Sequence, residues 1–307
     1  MASLRFGLIG TGYWALHTHG SALVSTPNAD LRGVWGRDPA KAHDVAVRLH
    51  TDAYDDLDAL LHTVDAVAVA VPPDVQPDLV VRAARAGCHL LLEKPLALSV
   101  DAAEEVVREV NRAGVASVVF FTARFRPEIE GWVEAAASTG PWTSAHLVDY
   151  GNNYQPGSPY AGSPWRRAHG ALWDIGPHAL AAVVPIMGPV ASVTARHGAA
   201  GSDTVHLIVS HGSGPDPTGT SIVSLSQTIA PAATTSHLSL YGEHGVRVRP
   251  ELDFSPVDAC RTAIAELAAL VSAGETHHRC DVGFARDVVG VLAAAERALG
   301  VPGVEPG

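Results

Sequence analysis

One run of six residues, Gly10-Thr11-Gly12-Tyr13-Trp14-Ala15, constrains this chain more than any other stretch. It follows a short apolar segment, Leu4 to Ile9, that reads as a strand. It precedes an Ala/Leu/His pattern that reads as a helix to about Ser25. Glycine, glycine and alanine at these spacings, between a strand and a helix, make the turn that cradles a dinucleotide pyrophosphate. The first glycine permits the tight turn, and the second lets backbone approach phosphate. The small third residue lets helix and strand pack closely. The helix N-terminus adds unpaired N–H groups and a positive dipole end. Gly10, Thr11, Gly12, Tyr13 and Trp14 are therefore cofactor-binding candidates. The competing reading is a turn with a structural role only.

The next strand, Leu31 to Trp35, ends in Gly36-Arg37-Asp38. An acid about 20 residues after the glycines usually meets a free ribose 2′-hydroxyl. Gly36 stands in that place and Arg37, a planar cation suited to phosphate, is next to it. The expectation is NADP as preferred cofactor with NAD possible, because Asp38 remains available unless Asp38-Pro39 simply starts the following helix. Helical and apolar segments then alternate: Pro39–Leu49, Ala66–Val71, Asp78–Ala86, His89–Leu92, Ser99–Arg112 and Val115–Phe121. That alternation predicts an α/β fold with a doubly wound parallel sheet over residues 1–121. The strand Leu90-Leu91-Leu92 runs straight into Glu93-Lys94-Pro95. Ligands of such sheets bind beyond the carboxyl ends of the strands, which makes Lys94 a candidate for chemistry.

From residue 122 the pattern changes. One helix runs from Pro127 to about Ala137. Gly151 to Gly170 reads as a long ordered loop or lid, and Leu172–Val184 as a helix stopped by Pro185 and Gly188. Five extended segments follow: Val190–His197, Thr204–His211, Thr220–Thr228, Thr235–Tyr241 and Val246–Arg249. Two helices, Pro256–Ser272 and Val282–Leu299, close the chain. Residues 122–307 are thus expected to form an α+β domain with a mainly antiparallel open sheet.

Bulk properties exclude several classes. A chain of 307 residues with 47% hydrophobic and 17% charged residues is globular, and its length predicts two domains. A net charge of −11 disfavours nucleic acid or an anionic membrane as partner. No uninterrupted apolar run reaches the roughly 20 residues of a membrane span. The N-terminus, with Arg5 and glycines close behind, does not read as a signal peptide. Three scattered cysteines fit a reducing, cytoplasmic setting. His17 and His19 lie two apart on a helix without a third ligand, so no metal site is expected. His277-His278 reads as an exposed turn.

Four motifs together resemble one family closely, the glucose–fructose oxidoreductase/inositol dehydrogenase (Gfo/Idh/MocA) oxidoreductases. They are Gly10–Ala15, Glu93-Lys94-Pro95, Arg124-Phe125-x-Pro127 and Asp174-Ile175-Gly176-Pro177-His178. The resemblance implies that Lys94 and His178 face each other across a substrate, with Asp174 beside them. It implies that Val71, Pro72, Glu93 and Pro95 border the nicotinamide ribose, and that members pair through the outer face of the second sheet, as homodimers or homotetramers. Their substrates are sugars, polyols or similar hydroxylated small molecules. Gln76 stands where the family often has a histidine.

The chemistry fits these residue types. Hydride transfer at an alcohol carbon needs a base for the hydroxyl proton, and a histidine with an unperturbed pKa of about 6.5 suits that role. It also needs a cation at the developing oxyanion, which Lys94 provides. Asp174 lies on the face of His178 if one helix holds both; Gly176-Pro177 could instead begin a new helix and leave Asp174 in its entry turn. Arg124, Trp165 and Arg166 are further substrate-binding candidates. Two other readings stand beside a dehydrogenase: glycosidic cleavage through transient oxidation, and a non-catalytic dinucleotide-responsive protein.

Overall fold

The computed structural model describes residues 3–214, 216–251, 253 and 255–300. Strand β1 (Leu4–Ile9) leads through the glycine turn into a π-helical turn (Ala15–Gly20) and then α1 (Ser21–Ser25). There follow β2 (Ala29–Trp35), α2 (Pro39–Leu49), β3 (Asp52–Tyr54), α3 (Leu57–Leu61) and β4 (Ala66–Val69). Next come α4 (Gln76–Arg85), β5 (His89–Leu92), α5 (Val100–Ala113) and β6 (Ser117–Val119). The six strands pair in parallel in the order β3-β2-β1-β4-β5-β6. This order reverses direction between β1 and β4, where a doubly wound sheet opens its ligand crevice. Ala66–Val69 and Leu90–Leu92 are wholly buried, which explains their unbroken apolar sequence. Ser99 caps α5 by accepting from the Ala102 amide, and left-handed Gly114 ends it.

The second sheet comes from β7 (Trp142–Tyr150), β8 (Val190–His197), β9 (Val205–His211), β10 (Gly219–Ser226), β11 (Thr235–Gly242) and β12 (Gly245–Val248). Its order is β12-β11-β7-β10-β9-β8. The pairs are antiparallel except β7–β10, which is parallel. The central strand β7 escapes the sequence reading, because Thr143, Ser144, His146 and Asp149 dilute its apolar signal. One face carries buried Ala145, Leu147, Leu207, Val223 and Leu238. The other presents His146 and His206 with Ile208 and Ile222, which are 51% and 41% exposed. Helix α6 (Pro127–Thr139) precedes this sheet; α7 (Pro164–Asp174) and α8 (Gly176–Met187) follow β7, and α8 covers the buried face at β7 and β10.

Two expectations are corrected here. The last third of the expected 151–170 loop is helix α7, started by Pro164 at a position where a missing N–H costs nothing. Pro185 does not stop α8; it lies inside the helix, which ends at Gly188 with φ 90°. Together α7 and α8 are long and apolar enough to cross a membrane, but 78% of the apolar window is buried within the protein.

The last helices are α9 (Pro256–Ala273) and α10 (Val282–Ala298). The chain forms two compact units, the described residues of 1–126 with 254–289, and those of 127–253 with 290–307. The sequence boundary at 121/122 assigned α9 to the second unit. Its buried Ala259, Cys260, Ile264 and Leu267 instead pack among α1, the π-helical turn, β5 and β6 of the first. Residues 301–307 of the expected second domain lie outside the described residues.

Candidate active site

Gly10 occupies the turn with φ 132°, and a Cβ there would collide with the Ala70 carbonyl at the end of β4. Only glycine fits both the conformation and the contact. At Gly12, by contrast, nothing lies within 4 Å of where a Cβ would stand, so the backbone faces open space. Thr11, Gly12 and Tyr13 border a surface depression that Lys41 and Arg48 of α2 also line. A cradle of backbone beside two cations suits a phosphorylated ligand. Arg37 is exposed directly after β2. Asp38 caps α2, its carboxylate accepting from the Ala40 and Lys41 amides at 3.1 and 3.3 Å.

Val71 is half-buried and Pro72 exposed, just past β4. Lys94 is partly exposed just past β5, and the Lys94–Pro95 peptide is cis. The turn that carries it is held from two sides. Buried Gln76 takes the Glu93 amide on Oε1 at 3.0 Å. Its Nε2 lies 2.8, 3.1 and 3.1 Å from the carbonyls of Glu93, Pro95 and Leu96. The Glu93 carboxylate accepts the Trp14 indole N–H at 2.6 Å, meets His19 Nε2 at 2.7 Å and accepts the Lys94 amide at 3.2 Å. Glu93 and Trp14 were expected at the cofactor. The structure brings them to each other, with Glu93 only 9% exposed. His19 is fully buried, and burial works against its charged form, yet Cys260 and Glu93 beside its two nitrogens outweigh that and raise its pKa.

Arg124 lies in a 3-10 turn (Thr122–Phe125) and is 4% exposed, its carbonyl accepting from Arg279. Of the expected exposed His277-His278 turn, His277 is exposed, but His278 is 7% exposed, bonds Glu266 at 2.9 Å and stacks on Phe125. Among the described residues no group of three His, Cys, Asp or Glu side chains could hold a metal ion.

In the second unit, Asp174 is the last residue of α7 and His178 sits in the first turn of α8. Gly176-Pro177 does start a new helix, so the two do not share one helical face. Asp174 is 4% exposed. It accepts from Arg166 Nε at 3.2 Å and from the Tyr154 hydroxyl at 3.3 Å. The Arg166 guanidinium lies over both the Tyr160 and Trp165 rings, 4.6 Å from each centroid. Three candidates, Trp165, Arg166 and Asp174, thus form one cluster with Tyr154 and Tyr160. Burial, then Asp174 and Asp203, push the Tyr154 hydroxyl far up, keeping it a proton donor. Gln76, His19 and Tyr154 were missed as site residues. Gln76 and His19 alone carried a signal, as polar residues within apolar helical patterns.

Residues 4–121 match the model of the Gfo/Idh/MocA oxidoreductase family, NAD-binding Rossmann fold. UDP-N-acetylglucosamine 3-dehydrogenase of Acidithiobacillus ferrooxidans is 30% identical over 131 residues, 42% of this chain and 41% of that one. D-xylose 1-dehydrogenase (NADP(+)) 2 of Haloferax volcanii is 30% identical over 192 residues, 60% of this chain and 58% of that one. The chain thus matches about half the length of its curated relatives. The crystal structure of GenD2 from gentamicin A biosynthesis, in complex with NAD, superposes with a TM-score of 0.83 at 22% identity, covering 97% of this chain and 94% of that one; this likeness is one of fold. By its fingerprint, its strand order and the match over residues 4–121, the first part of the chain is similar to the Gfo/Idh/MocA oxidoreductases with an NAD-binding Rossmann fold.

Proposed function

We propose that the protein is an NAD(P)-dependent oxidoreductase that moves a hydride between a nicotinamide and a CH–OH carbon of a sugar, polyol or similar hydroxylated or keto small molecule. One observation carries this reading: Lys94 stands partly exposed beyond β5 in a turn whose flanking backbone is tied down by Gln76 and Glu93. A cation held that firmly at the sheet's ligand edge is placed to act on a substrate oxygen. The relatives' names, a UDP-N-acetylglucosamine and a D-xylose dehydrogenase, support a sugar-like substrate.

Gly10, Thr11, Gly12, Tyr13 and Trp14 would hold the pyrophosphate side of the dinucleotide. Val71, Pro72, Glu93, Lys94 and Pro95 would border its nicotinamide ribose. When bound, the nicotinamide supplies the hydride acceptor or donor. Lys94 stabilises the negative charge that grows on the substrate oxygen, and His178 takes its proton. Asp174, fixed by Arg166 and Tyr154 at the end of α7, four residues before His178, orients a substrate hydroxyl. Arg124, Trp165 and Arg166 shape the substrate site. The preferred cofactor is NADP. Asp38 spends its carboxylate on the start of α2 and on Lys41, while exposed Arg37 offers positive charge for a 2′-phosphate.

The exposed face of the second sheet, with Ile208, Ile222, Tyr241 and Val246, supports a homodimer or homotetramer. Three buried cysteines that form no disulfide, Cys88, Cys260 and Cys280, suit a cytoplasmic enzyme. A panel of sugars, polyols and cyclic ketones with both cofactors, followed by nicotinamide absorbance, tests the function. Turnover of a panel member supports it. Cofactor that co-purifies and is never consumed would move the assignment to transient oxidation.

A further inference from the structure

Trp14 and His19 lie five residues apart. On a regular α-helix they would point about 140° away from each other. The chain between them is instead a π-helical turn, its i→i+5 spacing shown by the Ser21 amide on the Leu16 carbonyl. The extra residue per turn swings His19 toward the face of Trp14, and both side chains reach the same oxygen, Glu93 Oε1. The other oxygen, Oε2, accepts the Lys94 amide. A short buried bridge therefore runs from the residues beside the glycine turn to the backbone of the lysine. π-turns often mark functional sites, because an inserted residue re-aims side chains at a cost in helix stability.

We propose that His19 is a positioning residue: with Trp14 it pins the Glu93 carboxylate, and through Glu93 it sets the placement of Lys94 when the glycine turn closes on a dinucleotide. The proposal rests on the oxidoreductase reading for its kinetic consequence, though not for its structural one. His19 is walled by Phe120, edge-on at 5.6 Å, and by Cys260, whose Sγ lies 3.9 Å from Nδ1. It has no room to turn away from Glu93. Because every distance in the bridge is short, a dinucleotide that orders Trp14 also orders the Lys94 amide. Misplacing a catalytic group by about 1 Å can cost on the order of 100-fold in rate.

The test compares wild type, His19→Leu and His19→Gln in the full chain. Folding is checked by circular dichroism and melting temperature. Two quantities are read: steady-state kinetics on a substrate found in the panel, and the rate at which Lys94 is acetylated by acetic anhydride with saturating dinucleotide, measured by mass spectrometry. The expectation for His19→Leu is a kcat at least about tenfold lower, a dinucleotide KM within about threefold, and Lys94 acetylated at least about threefold faster. His19→Gln, which keeps an N–H for Glu93, returns both toward wild type. Should His19→Leu fail to fold, Trp14→Phe removes the other donor and is held to the same Lys94 readout. Unchanged Lys94 acetylation in a folded variant overturns the proposal, as does a loss confined to KM. If wild type turns over nothing in the panel, the oxidoreductase reading falls, and the acetylation comparison alone decides the bridge.

Discussion

Gln76 shows how much one side chain can fix. Its amide satisfies one backbone N–H and lies against three carbonyls around Lys94, all buried. Removing it strands several polar groups at once, each costing about 1–3 kcal/mol when left unpaired. Gln76→Ala should lose about 3 kcal/mol of stability in urea unfolding, and the surviving folded enzyme should lose turnover more than dinucleotide affinity. Gly10 is fixed by space instead of polarity. Gly10→Ala meets both a positive φ and the Ala70 carbonyl, so titration should show dinucleotide binding lost or weakened at least about 100-fold. Arg37→Ala should weaken NADP far more than NAD; equal effects on both would contradict the proposed preference.

At the scale of elements, the first sheet was legible because β1, β4, β5 and β6 are buried along most of their length and read as apolar runs. β7 was not, because a strand with one outward face alternates Ser144, His146 and Val148 with Ala145 and Leu147, and its length spread that signal thin. Helix α7 was hidden by the Gly, Pro and Ser residues around it, although Pro164 marks its start. The π-helical turn has no compositional signature at all; it differs from an α-helix only in which carbonyl each amide finds. So Glu93-Lys94-Pro95 and Asp174…His178 could be read from residues, but the bridge from His19 and the Tyr154–Arg166 clamp on Asp174 could not. The inner face of the second sheet carries one further consequence. His211 is buried, bonds the Gly188 carbonyl and Ser221, and burial lowers its pKa. The unfolded chain then binds the proton more readily, so stability is full above about pH 6.5 and falls as pH drops through the folded value, by at most about 1.4 kcal/mol per pH unit. Thermal melts from pH 7.5 to 5 should show this decline, and it should shrink in His211→Asn.

For the whole molecule, the outward face of the second sheet carries isoleucine, valine and tyrosine among histidine and serine, more apolar than a solvated sheet face requires. Sedimentation velocity should show an oligomer that Ile222→Asp dissociates; a monomeric wild type would contradict the proposed pairing. The central claim is that the first unit binds a dinucleotide and that Lys94 serves chemistry on it. Its most direct test is Lys94→Ala, comparing dinucleotide affinity by calorimetry with turnover on an active substrate. Affinity within a fewfold of wild type and turnover reduced at least about 100-fold are expected. Turnover kept near the wild-type level would contradict the claim.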